Sequence, residues 1–169
     1  MSYMKTARRK KDIGINGRMA KWYDKNTRSS RLSEMREYAD MVNGYADRGA
    51  AVLEVAPGPG YLAIELAKRG FSVTGVEISA DFVEIEKHNA REAGVNVDFR
   101  QGNASALPLP DSAFDFIICS AAFKTFLKNG AYTREGFEEL ISQTDFGHHK
   151  ILKQGIGFQV WMYKLGMQI

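Results

Sequence analysis

Two acidic residues stand where a carboxylate is costly unless it meets a partner: Glu54 inside an apolar run and Glu77 at the end of another. Between them lies Ala56-Pro57-Gly58-Pro59-Gly60, a turn of alternating Pro and Gly in which bare backbone can approach a ligand. Asn103 follows a third apolar run and brings an amide that can both donate and accept. Two carboxylates, a glycine turn and an amide are the parts of a nucleoside site, with Glu77 accepting hydrogen bonds from ribose hydroxyls.

Two ligand classes compete for those parts. Gly58-Pro59-Gly60-Tyr61-Leu62-Ala63 fits G-x-G-x-x-A, and Glu77 follows Gly60 by 17 residues, as a dinucleotide site requires. Glu54, however, lies four residues before Gly58, where a pyrophosphate would meet a like charge. Pro57 and Pro59 also remove two N–H donors from any phosphate cradle. A P-loop is excluded because no Gly-Lys-Ser/Thr follows. S-adenosylmethionine (SAM) has a ribose, a sulfonium and an ammonium but no phosphate. Glu54 then serves its cationic methionine end, Glu77 its ribose, and Asn103 and Ala104 its adenine. Gly58 and Gly60 let the backbone pass close.

The elements that must position these residues read as alternating strands and helices. Ser30–Tyr45 has Leu32, Met35, Tyr38, Ala39 and Val42 at helical spacing. Ala50–Val55 is a strand, Tyr61–Arg69 a helix, Phe71–Val76 a strand ending at Glu77. A helix capped by Ser79 or Asp81 runs to Ala93. Val95–Arg100 and Phe114–Ser120 are further strands, with Asp115 opening the last and delivering Ser120 and Ala121 to the rim. Thr133 caps another helix, and 149–156 with 157–164 form an antiparallel pair. This order predicts an α/β fold with a mostly parallel sheet and right-handed crossovers. Its ligand site lies at the carboxyl ends of the strands.

The chain is similar to class I, Rossmann-like SAM-dependent methyltransferases of the ubiquinone/menaquinone-biosynthesis type. The matching blocks are Val52–Gly60, Val73–Ser79, Gly102-Asn103-Ala104 through Leu107-Pro108, and Phe114–Ile117. The resemblance implies a three-layer fold, SAM as cofactor with S-adenosylhomocysteine as product, and contacts from Ala56 and Ile78. It also makes Tyr23, in Trp22-Tyr23-Asp24, a lid residue. The family usually has Gly at Ala56 and an acidic residue at Asn103. Ala56 is accommodated if its φ is negative, and the Asn103 amide still pairs with adenine. After the fourth strand a block containing the usual fifth strand is missing. About six strands are therefore expected, with the last two packed beside the fourth.

Composition frames the rest. The 169 residues, 44% hydrophobic and 25% charged, suit one soluble domain. One cysteine, Cys119, excludes an internal disulfide and fits a reducing cytoplasm. No zinc-ligand spacing appears among His88, His148 and His149, and no metal is expected. Residues 1–31 hold ten Lys/Arg against Asp12 and Asp24, a balance of +8 within a net charge of +3. Residues 1–28 read as a basic leader or lid, of which 1–17 is unstructured and Met19–Asp24 an apolar anchor; 29–169 form the SAM-binding domain.

The expected activity is methyl transfer to a small-molecule acceptor, with no obligatory catalytic base. Two alternatives stand beside it: a SAM-binding protein without turnover, and a nucleic-acid methyltransferase anchored by the basic leader. A homodimer is a further expectation, and no membrane partner is expected.

Overall fold

A computed structural model of the chain describes residues 14–104, 106, 107, 109–120, 138, 141, 142, 146, 148–154 and 157–163. Three helices and six strands follow one another: α1 (Arg18–Asn43), β1 (Ala51–Val55), α2 (Tyr61–Lys68), β2 (Ser72–Glu77), α3 (Ala80–Glu92), β3 (Asp98–Gln101), β4 (Phe116–Cys119), β5 (His148–Gln154) and β6 (Gly157–Tyr163). The sheet has the order β3-β2-β1-β4-β6-β5. β1 to β4 are parallel, while β6 runs antiparallel to both β4 and β5.

The β1-α2-β2 and β2-α3-β3 crossovers step across the sheet in the same direction, which places α2 and α3 on one face. α1 packs with them, burying Met35, Ala39 and Val42 in the main core. Strand alternation then sorts side chains between two faces. Phe116, Ile118, Trp161 and Tyr163 enter the core with the helices. Cys119 and Val160 face the other way and pack with Ile141, which lies in a helical turn. Helix, sheet and helix make the three layers.

Of the two last strands, β6 pairs directly with β4 and β5 pairs with β6 at the edge. Phe116 pairs with Tyr163 and Ile118 with Trp161 across an antiparallel ladder. The rings of Phe116 and Tyr163 stack with centroids 6.0 Å apart, and Trp161 is fully buried beside them. β6 thereby takes the place beside β4 that the missing block leaves, and its aromatic side chains pack into the main core. The helix expected from Thr133 is described only at Glu138, Ile141 and Ser142. Phe123, Lys124, Thr125, Phe126 and Ala121 lie outside the described residues.

The N-terminal region departs from its expected form. α1 starts at Arg18 rather than Ser30, so Met19–Asp24 is helical and one helix crosses position 28. Asp24, Asn26, Thr27, Ser29 and Ser30 are weak helix formers, which made the stretch resemble a leader. Tertiary hydrogen bonds from Asp24 and Arg28 override that weakness. Residues 14–17, expected to be unstructured, are also held. The Ser79 hydroxyl donates to the Ile15 carbonyl at 2.6 Å, and the Gly17 N–H donates to Asp81 at 2.8 Å.

Candidate functional site

The chain leaves β1 through a turn that only small residues tolerate. Ala56, Gly58 and Gly60 have φ of 56°, 62° and 80°, all left-handed. The negative φ expected for Ala56 is not found. Its N–H donates to the Val76 carbonyl at 2.8 Å, extending the β1–β2 ladder by one bond before the chain swings away. That combination forces a conformation costing an L-residue with a Cβ about 1–2 kcal/mol. Gly60 caps α2, and a Cβ there would meet Phe99 at 3.0 Å and Glu86 at 3.1 Å. At Gly58 a Cβ would meet nothing, because that backbone faces open space.

This turn borders a cavity of about 290 Å³ at the carboxyl ends of β1, β2 and β4. Ala56, Gly58, Glu77 and Ile78 line it from the first two strands, Asn103 and Ala104 from the loop after β3, and Ser120 from β4. Tyr23 reaches it from α1 and packs edge-on against Phe82, with centroids 5.9 Å apart. Gly60 and Glu54 do not line it. Gly60 is the buried last residue of the turn, and Glu54 is 1% exposed within β1.

Glu77 is buried at the end of β2. Its two oxygens accept from the Ser79 N–H at 3.0 Å and the Gly58 N–H at 3.2 Å. The carboxylate thereby holds the turn against the start of α3. Burial raises its pKa, opposed by the N–H groups of Ser79, Gly58 and Ile78. Glu54 is held less fully. The Ser120 hydroxyl donates to Oε1 at 3.5 Å, and Oε2 has no hydrogen-bond partner. Burial pushes its carboxyl up to about 8, against the pull of the Ala63 N–H and the Ser120 hydroxyl. A buried acid with an orphan oxygen suits a cationic guest.

Several residues at the cavity were not read from the sequence as site residues. Arg31 and Met35 line it from α1, Phe82 from α3, and Gly14 and Ile15 from the segment pinned across the start of α3. Arg31 is the one cation among the described lining residues. It would have been legible had α1 been extended, since 20, 24, 27, 31 and 35 share one helical face. Glu86 was also missed. It lies under the turn with both oxygens unpartnered, and burial followed by the charges of Glu77 and Glu54 raises its pKa to about 10.

A polar cluster joins α1 to the turn from outside the cavity. The Tyr61 hydroxyl donates to Asp24 Oδ1 at 2.7 Å, and Asn89 Nδ2 donates to the same oxygen at 3.1 Å. Asn89 Nδ2 also donates to the Pro59 carbonyl at 2.9 Å. Arg28 completes the set through Asp24 and Asn89. Tyr23, the residue before Asp24, is thus fixed over the cavity by contacts to the glycine turn itself.

Among the described residues no group of three or more His, Cys, Asp or Glu is arranged to hold a metal. His148 stacks on Tyr163 with ring centroids 5.3 Å apart.

Comparison with known proteins agrees with this fold. Residues 52–141 match the family described as "Methyltransferase domain". The Bacillus subtilis "uncharacterized methyltransferase YcgJ" is 38% identical over 76 residues, covering 44% of this chain and 30% of that protein. The demethylmenaquinone methyltransferase of Thermus thermophilus is 35% identical over 77 residues, covering 44% of this chain and 35% of that protein. The chain spans 30 to 49% of the length of these first curated relatives. A SAM-dependent methyltransferase from Aquifex aeolicus superposes with a TM-score of 0.63 at 17% identity, covering 85% of this chain and 96% of that one. Magnesium protoporphyrin IX methyltransferase from Synechocystis, solved with bound S-adenosylhomocysteine, gives 0.56 at 13% identity, covering 83% and 85%. The family match covers more than half of the chain, from β1 past β4, and the fold agrees with that of the solved methyltransferases: the chain belongs to the class I SAM-dependent methyltransferases.

Proposed function

We propose that the chain binds SAM in this cavity and transfers its methyl group to a small-molecule acceptor. The observation that carries the reading is Glu77, a buried carboxylate at the cavity wall whose oxygens each keep a lone pair beyond their backbone N–H. Those lone pairs suit the two hydroxyls of a ribose. Asn103 presents an amide for adenine, with Ala104 and Ile78 as its apolar neighbours. The orphan oxygen of Glu54 suits the methionine ammonium, directly or through water, with Ser120 alongside. Gly58 offers unobstructed backbone, Gly60 lets α2 start under the turn, and Ala56 turns the chain into place. Tyr23 closes the site from α1. Pro57 and Pro59 leave the turn poor in the donors a pyrophosphate needs.

When bound, SAM supplies an electrophilic methyl carried on a sulfonium. The chain's residues then contribute alignment and exclusion of water, with no base required. Relatives named demethylmenaquinone methyltransferase and ubiquinone biosynthesis O-methyltransferase support a small acceptor. No helix among the described residues is long and apolar enough to cross a membrane, and we assign the enzyme to the cytoplasm on its single cysteine.

Isothermal titration with S-adenosylhomocysteine and with NAD tests the reading. Heat with the first alone is expected, and Glu77→Ala should weaken that affinity by about 1–3 kcal/mol. Binding of NAD without S-adenosylhomocysteine would refute it.

A further inference from the structure

We propose that the N-terminal end of α1 is a docking surface for an anionic lipid bilayer. Four large hydrophobic side chains are exposed among the described residues: Ile15 at 40%, Met19 at 59%, Trp22 at 59% and Met41 at 41%. The first three fall within eight residues of one another. Met41 lies nineteen residues beyond Trp22, roughly 30 Å along the helix. The apolar surface is therefore concentrated at one end.

Helical spacing places Trp22 at the centre of this outer face, with Met19 on one side and Arg18 and Lys25 on the other. Lys21 flanks them, and all three cations are exposed. Arg18, Lys21 and Lys25 make no ion pair among the described residues, whereas Arg28 and Arg31 face Asp24, Glu92 and Glu34. The opposite face is already committed. Ala20 is buried, Tyr23 packs on Phe82, and Asp24 binds Tyr61.

Exposed apolar side chains among unpaired cations, with a tryptophan at the centre, match the interface of a membrane rich in anionic headgroups. The preceding sequence adds charge of the same sign: Lys5, Arg8, Arg9, Lys10 and Lys11 against Asp12. A nucleic acid would also attract this charge. Ile15 and Met19, however, neither stack on bases nor hydrogen-bond to them, whereas a lipid interface accepts both. This is a peripheral contact, and it requires no spanning segment. Ile15 belongs to the cavity rim as well as to the patch, so the bilayer would lie beside the cavity mouth.

The full chain is mixed with vesicles of phosphatidylcholine alone, or of phosphatidylcholine with phosphatidylglycerol, and read by co-sedimentation and tryptophan emission. Trp161 is fully buried, so a blue shift reports Trp22. Binding to the anionic vesicles alone, weakened by salt and reduced about tenfold by Trp22→Ser with Met19→Ser, is the expected result. Lys21→Glu with Lys25→Glu should have a similar effect, while melting temperature and S-adenosylhomocysteine affinity stay unchanged in every variant. That last readout keeps the docking test separate from the cofactor assignment. No binding to either vesicle, or equal binding to both, would overturn the proposal. So would binding of a single-stranded RNA without vesicles, or self-association abolished by Trp22→Ser.

Discussion

Glu86 should make this protein less stable as pH rises, and by a calculable amount. The side chain is fully buried under the glycine turn, and neither oxygen has a hydrogen-bond partner. Its carboxyl titrates at about 10 in the folded protein, against 4.5 for a free glutamate. Between those values the folded state holds a proton that the unfolded state releases. Stability therefore falls with pH across that window, and the penalty vanishes below 4.5. At pH 7 the cost is about 3 kcal/mol, from roughly 1.4 kcal/mol for each pH unit above 4.5. Glu86→Gln keeps the shape and removes the proton uptake. Urea unfolding followed by circular dichroism at pH 5, 6, 7 and 8 should show the variant more stable than the parent. The gap should grow by about 1.4 kcal/mol per pH unit. Taking the difference cancels Glu54 and Glu77, whose raised values give slopes of the same sign. A gap independent of pH, or a Gln variant less stable than the parent at pH 7, would refute the reasoning.

Ala56→Gly should raise stability by about 1 kcal/mol in urea unfolding, because glycine adopts a φ of 56° without steric cost. Asp24→Ala should lower stability by about 1–3 kcal/mol, leaving Tyr61 and Asn89 without their shared acceptor. It should also weaken S-adenosylhomocysteine binding in titration, with Asp24→Asn restoring part of both. Cofactor binding at pH 7 should release up to one proton from Glu54, since a cationic guest draws a carboxyl near 8 toward its charged form. Titration enthalpies in buffers of different ionisation heat would report that release, and Glu54→Gln should abolish it.

Most of the strand pattern was legible because parallel strands are written as apolar runs between glycines. β1 and α2 fall within a residue of their expected limits, and the last two strands continue the sheet beyond the fourth as expected, β6 pairing with β4 and β5 with β6. Glu54 and Glu77 stand out in the sequence for a related reason, as charges in or at the end of apolar runs, and the structure buries both, with Glu77 at the cavity wall. Glu86 has no such contrast, because a glutamate at helical spacing reads as a surface residue until Gly60 and Phe99 are packed over it. The first half of α1 was hidden by poor helix formers that owe their conformation to partners more than thirty residues away in sequence. Ala56 shows a third kind of difficulty. A family glycine replaced by alanine tells nothing of φ until the β1–β2 ladder is seen to extend one bond further.

The place of β6 bears on how the molecule is made. Although it is the last strand in sequence, it lies between β4 and β5, inside the sheet. Until it arrives, β4 offers a nascent chain an open hydrogen-bonding edge, flanked by the uncovered ring of Phe116. Trp161 and Tyr163 seal that edge only after the residues between β4 and β6 have been made. Assembly thus waits on pairing between residues far apart in sequence, the slow kind of step during which aggregation competes. Synthesis cut short of β6 would leave strands β1 to β4 correctly ordered but unsealed, and a chaperone would find its target along that same row.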